Sequence, residues 1–206
     1  MRSVLGFMIV ALAGCSTLMP SNNVVESNSR NWRTVATEQD RERLHEWRTA
    51  FISALAAARK SGHADEIAAE GALLDPDSAT GGVPIPNGLY KCRVIKLGAK
   101  SPGLLDYVAY PYFRCRIGPA QGVQGFAKLS GSQRHVGLIY PSDAIRQVFL
   151  GTLELGDEQR AMQYGADEER NVAGFVERIG PARWRLIMPY PHFESQMDVM
   201  ELIPAS

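Results

Sequence analysis

Tyr110, Tyr112, Arg114 and Arg116 recur at every second position of a strand-like run, residues 107–117. Alternate side chains of a pleated strand share a face. Two phenol rings and two guanidiniums would therefore stand in one row. Such a surface offers aromatic faces and planar cations to an anionic or glycan ligand, or to a partner protein. The competing reading is an outer face, where Tyr covers apolar neighbours and Arg meets nearby carboxylates. Arg93 has the opposite parity to Cys92 and would add charge beside the row if the cysteines face inward.

Bond-making chemistry has weaker support. Ser132 sits in Gly131-Ser132-Gln133-Arg134, without a G-x-S-x-G elbow or a strand–turn–helix context, so a turn between strands accounts for it. His192, Glu194 and Asp198 are close enough in sequence for an acid–base or metal cluster; the alternative is a solvated loop after Pro191. The acidic run Gly165-Ala166-Asp167-Glu168-Glu169-Arg170 lacks the EF-hand order of oxygen ligands and reads as a turn. There is no H-E-x-x-H, no cysteine–histidine zinc spacing, no P-loop and no dinucleotide fingerprint. No catalytic residue, metal or cofactor is assigned.

Three cysteines divide by position. Leu12-Ala13-Gly14-Cys15 follows Arg2 and an uncharged apolar run at 4–13. That run falls well short of the about 20 residues a membrane-crossing helix needs, and it suits the apolar region of a signal peptide. The segment resembles a bacterial lipobox, cut before the cysteine. The resemblance implies a diacylglyceryl thioether and an acylated amino group on Cys15, hence a membrane anchor with palmitate-like chains. An ordinary secretory signal is the alternative. Ser16 stands where an Asp would favour inner-membrane retention, so the resemblance implies the periplasmic face of the outer membrane.

Cys92 and Cys115 remain, and two cysteines in an oxidising compartment suggest one disulfide; two buried thiols are the alternative. Ser101-Pro102-Gly103-Leu104 suits a type II turn. If Ser101 opposes Asp106, every opposed pair sums to 207, as positions 92 and 115 do. A tighter turn would leave the cysteines diagonal by two residues, and Pro111 can introduce a bulge.

The elements that must hold these residues follow from periodicity. After the signal (1–14) and a Ser/Asn-rich tether (15–33), one globular domain is expected over 34–206, helical at 34–80 and β-rich at 88–206. Thr37 can cap a helix, with Glu38 and Asp40 in its positive first turn. Leu44, Trp47, Phe51, Leu55 and Ala58 then form an apolar stripe that ends near Gly62. A shorter helix is expected at 64–73, followed by a Gly/Pro-rich connector. Strands are expected at 89–97, 107–117, 123–129, 136–140, 146–155, 172–179, 183–190 and 197–203. Trp184, Leu186 and Met188 share one face of their strand, and Arg183 and Arg185 share the other. The fold class is thus α+β, with N-terminal helices followed by an antiparallel, barrel-like sheet of about eight strands. The helix would lie on the sheet or plug one end.

Several runs, GALLDP at 71–76, YKCRVIKLG at 90–98, VAYPYFRCRI at 108–117, KLSGSQR at 128–134 and VFLGTLELGD at 148–157, together with residues 172–188 and the final ESQMDVMELIP, resemble the bacterial family termed domain of unknown function 4893. The resemblance implies a single domain with this helix-then-strand order and carries no catalytic residue.

With 22 basic and 22 acidic residues there is no net field to gather nucleic acid, and 45% hydrophobic residues suffice for a core. The expected function is that of an envelope lipoprotein carrying a non-catalytic binding or protein-interaction module. Its partners are the membrane, through Cys15, and an envelope protein or small ligand. A lipocalin-like carrier of a small ligand and a periplasmic hydrolase are the alternatives.

Overall fold

The computed structural model describes residues 29–82 and 84–205. Cys15, the signal and most of the segment read as a tether lie outside them. A short helix, α1 (Trp32–Val35), begins within the end of that segment. The single amphipathic helix expected next is two: α2 (Glu38–His45) and α3 (Trp47–Lys60), which meet at Glu46 with its backbone at ψ 6. Thr37 caps α2 by accepting from the Asp40 N–H at 3.1 Å. The break does not interrupt the stripe, because Leu44, Phe51, Leu55 and Ala58 are all buried. α4 (Ala64–Glu70) and a 3-10 turn (Gly71–Leu73) follow.

From Gly88 the chain forms nine antiparallel strands: β1 (Gly88–Ala99), β2 (Tyr107–Ala109), β3 (Phe113–Ala120), β4 (Val123–Lys128), β5 (Gln133–Pro141), β6 (Arg146–Leu155), β7 (Asn171–Gly180), β8 (Arg183–Pro189) and β9 (Ser195–Pro204). Consecutive strands pair from β3 to β9, β3 pairs with β1, and β9 pairs back onto β1, which closes an eight-strand barrel and leaves the three-residue β2 as its edge strand. The strand expected at 107–117 is split. β2 pairs with the far half of β1 (Ile95 opposite Ala109) and β3 with the near half (Cys92 opposite Phe113), a register slip of one residue across Tyr110-Pro111-Tyr112. Pro111 has no N–H to give a ladder, which is why the break falls there.

The same register decides the cysteines. Cys92 opposes Phe113 and Cys115 opposes Tyr90, so the two are diagonal neighbours and not directly opposite. They form a disulfide with Cα atoms 5.9 Å apart. The type II turn forms as its residues require, with Gly103 at φ 90 and the Leu104 N–H reaching the Ser101 carbonyl.

Alternation sorts the strand residues into two cores. Inside the barrel, Phe126, Ile139, Phe149, Trp184, Leu186, Met188 and Met200 fill the lumen. The Phe149 ring lies against Gly137 and Gly151, which oppose each other; a Cβ on Gly137 would come within 2.8 Å of that ring. Outside, Ile95, Leu97, Ile187, Met197 and Val199 pack under Phe51, Ala54 and Leu55. The helices therefore cover the outer face of the barrel and plug neither end. Closure of one end falls to the connector: Ile85 is 1% exposed, its N–H donates to Gln147 and its carbonyl accepts from Gln124.

A row of alternating charge crosses five strands under the helices. Arg146 opposes Glu177, Glu177 opposes Arg185, Arg185 opposes Glu201 and Glu201 opposes Arg93. Arg185 is fully buried; it donates to Glu177 at 2.7 Å and to the carbonyls of Leu73 and Asp75 at 3.0 and 2.7 Å. Glu201 accepts from Arg93, Arg183 and Tyr112, while Arg93 also holds Glu70 at the end of α4. The row docks the helical layer through satisfied charges, which fixes its orientation more sharply than apolar contact alone.

Candidate functional site

The helices leave the outer face of β3, β4 and β5 largely uncovered, and a cavity of about 800 Å3 lies there. Register builds its floor. Arg116, Ala127 and Val136 stand opposite one another in one row; Gly118, Gly125, Leu138 and Leu150 form the next. Two glycines side by side leave no side chains above the sheet, so the floor sinks into a trough. Val35 of α1 and Tyr140 border it, and residues 161–164 of the β6–β7 loop overhang it. That loop is pinned: Arg170 pairs with Glu158, and Glu158 also accepts from the Leu155 N–H at 2.8 Å. Tyr164 is fixed too, its hydroxyl accepting from the Thr37 N–H and donating to Asp40. Burial, reinforced by Asp40, pushes the Tyr164 phenol well above its usual range. The trough is largely apolar. Arg116 is the cation on its margin, exposed and without an ion-pair partner among the described residues.

The four residues of the aromatic and basic row separate. Tyr110 and Tyr112 lie in the break between β2 and β3, not on a continuous strand. Tyr112 donates to Glu201 at 2.7 Å and lies under the Arg93 guanidinium, so it belongs to the charged row that docks the helices. Tyr110 is 38% exposed. Arg114 and Arg116 remain on the outer face of β3, and Arg116 borders the trough. Proline and the register slip are the reason: alternation cannot be carried across a break in a strand.

His192, Glu194 and Asp198 also separate. Asp198 points into the barrel, 2% exposed, and is bound by Lys96 at 3.1 Å and by the Ser195 hydroxyl. Glu194 meets Lys96 from outside at 3.1 Å. No hydrogen bond or ion pair among the described residues joins His192 to either carboxylate. Near the same barrel end, Lys128 donates to the carbonyls of Ser130 and Gln133 at 2.9 and 2.8 Å and lies 3.8 Å from the Phe113 ring. With no carboxylate beside it, burial and the charges of Arg134 and Lys96 push Lys128 down to about 8. His135 lies across from Lys128 in the continued β4–β5 register, with Nδ1 buried and unpartnered. Burial, then Lys128 and Lys96, push its imidazole down to about 3. The arrangement is that of a charged plug at the end of a packed lumen.

Sequence reasoning missed the trough and the cross-strand row of charges. The one signal for the trough is Gly118 and Gly125, which become meaningful only once they are known to be opposite. Among known proteins, a family model described as "Domain of unknown function (DUF4893)" matches residues 32–202, from α1 into β9. No curated protein and no solved structure matches the chain.

Proposed function

The chain belongs to the DUF4893 family, and we propose that it acts as a non-catalytic binding module, held at the bacterial envelope by lipid on Cys15. Its ligand is a single-chain acyl amphiphile with an anionic head. The observation that carries this reading is the trough: an apolar floor of glycine, Ala127, Val136 and Leu138, with the Arg116 guanidinium on its margin. A chain of methylene groups gains about 0.8 kcal/mol for each one buried, and an exposed guanidinium suits a carboxylate or phosphate head. Arg30, next to the first described residue, lies by Gly122 in the β3–β4 turn, close to one end of the trough. A lipid-anchored chain would thus enter the domain beside its own binding surface. A ligand inside the barrel, as in lipocalin-like carriers, finds no support, because Phe126, Phe149, Trp184, Met188 and Met200 occupy the lumen. A hydrolase built on His192 finds none either, since its expected partners point elsewhere.

The test uses lipidated protein in nanodiscs of uncharged and zwitterionic lipid, given a diazirine-bearing hexadecanoate and illuminated. Adducts are expected on peptides covering 116–138 and 161–164, about tenfold fewer with Arg116→Gln and none with Ala127→Phe, which fills the trough. Adducts confined to other peptides would refute the site. Equal yield from the corresponding uncharged alcohol would refute the role of Arg116.

A further inference from the structure

The outer face of β1 and β3 carries a surface of another kind. Tyr90, Cys92, Cys115 and Ile117 belong to the lumen, so alternation turns Leu89, Lys91, Arg114 and Arg116 outward, and all four are exposed. Lys91 stands directly opposite Arg114, and Leu89 opposite Arg116. None of the three cations has an ion pair or a side-chain hydrogen bond among the described residues. Arg93, two residues from Lys91 on the same face, holds both Glu70 and Glu201. Like charges directly opposite on a sheet are destabilising, so the Lys91–Arg114 pair adds nothing to the fold. Apolar side chains stand among the cations. Leu89 is 58% exposed, and Leu129, whose N–H donates to the Arg114 carbonyl, is 39% exposed.

We infer that this face docks on a bilayer surface rich in anionic lipid, with its three cations on headgroup phosphates and Leu89 and Leu129 entering between the headgroups. Two observations select lipid over an acidic protein. Leucines exposed among unpaired cations suit an interface where apolar groups sink in and charges stay at phosphate level. The described chain also begins beside the strand that carries the patch: Arg30 lies by Gly122, just past the end of β3 and about 26 Å along the strand from Arg114. Residues 15–28 span about 50 Å at most even when fully extended, so lipid on Cys15 keeps this face within reach of the bilayer. The inference rests on that anchor for its nearness to lipid. It does not rest on the trough, which Lys91 and Arg114 do not line. Each cation at an anionic surface is worth about fivefold in affinity, and salt screens the attraction.

Photo-cross-linking of lipidated protein in nanodiscs tests the inference. The photoreactive residue p-benzoylphenylalanine replaces Leu89 or, as a control, His45, which is exposed on α2 about half-way round the barrel, where Arg43 reaches the Asn171 carbonyl of β7. If the mass of the mature chain shows no acyl groups, its Cys15 thiol is coupled to a maleimide lipid, which keeps failure of the anchor reading distinct from failure of the docking. In discs with about 30% phosphatidylglycerol, lipid adducts at position 89 should exceed those at position 45 at least tenfold. They should fall at least fivefold in phosphatidylcholine discs, in about 0.5 M salt and with Lys91→Glu/Arg114→Glu. That variant exchanges one like-charge pair for another, so its melting temperature should stay within about 2 °C of wild type. Arg114→Gln, a milder change, should lower the yield at least twofold. Equal yields at 89 and 45, or a yield at 89 indifferent to lipid charge, would overturn the proposal and leave the patch to an acidic protein.

Discussion

Replacing His135 should remove about 2 kcal/mol of acid sensitivity. The imidazole is buried inside the barrel with Nδ1 unpartnered, near the ammonium groups of Lys128 and Lys96, and it titrates at about 3. In the unfolded chain an imidazole titrates near 6.5. Between these values the unfolded state binds a proton that the folded state refuses. Stability therefore rises with pH across this window and is lost as pH falls from 6.5 toward 3. At pH 7.5 the unfolded histidine is almost neutral and the cost is about 0.1 kcal/mol. At pH 5 the unfolded group is about 97% protonated, and the linkage relation gives a cost of about 2 kcal/mol. The assay is urea unfolding, followed by tryptophan fluorescence, of wild type, His135→Gln and His135→Leu at pH 7.5 and 5. Each variant carries its own packing penalty, but that penalty is the same at both pH values and cancels. Carboxylates and His192 change both proteins alike and cancel as well. Wild type should lose about 2 kcal/mol more than either variant on going to pH 5. Equal losses would show that His135 is solvated or protonated in the native state, and the burial argument would fail.

Two further outcomes follow from the barrel. Removing the disulfide as Cys92→Ala/Cys115→Ala opens a loop of sequence separation 23. The chain-entropy model then gives a loss of about 3 kcal/mol, or a melting temperature lower by roughly 6–12 °C for a domain of this size; a calorimetric shift below about 2 °C would refute it. Glu201→Gln removes the carboxylate shared by Arg93, Arg183 and Tyr112 and should cost about 3 kcal/mol, the low end for a broken buried pair, because Arg93 keeps Glu70. Burial pushes the Glu201 carboxyl up, but its bonds to Arg93, Tyr112 and Arg183 outweigh this and leave it lowered. The stability it supplies is present above pH 4.3 and lost in more acid solution, so the variant's unfolding curve should be flatter there.

Local chemistry was legible wherever a short stretch determines its own structure. Thr37 with Asp40 announces a helix start, Pro102-Gly103 a turn, and Trp184, Leu186 and Met188 the buried face of a strand. The switch from helical to alternating period near Gly88 marks the change of layer, and the strand count follows from it, which is why an antiparallel barrel behind helices could be expected. A register argument even brought Cys92 near Cys115. It failed by two residues because the loop sets Leu97 opposite Tyr107, three positions short of the expected register, and the slip at Pro111 recovers only one of them; no local signal reports either offset.

What one strand opposes is a property of the closed sheet. Gly118 beside Gly125 becomes a trough, and Arg146, Glu177, Arg185, Glu201 and Arg93 become a charged row, only after closure sets five strands in register. Arg43 and His192, 149 positions apart, line one cavity because α2 is docked beside the β8–β9 loop. The same docking covers one part of the barrel wall and leaves another bare. Composition and period decide which residues must be hidden. The choice among the surfaces that can hide them is made by contacts between distant parts of the chain, and the candidate binding sites are what that choice left open.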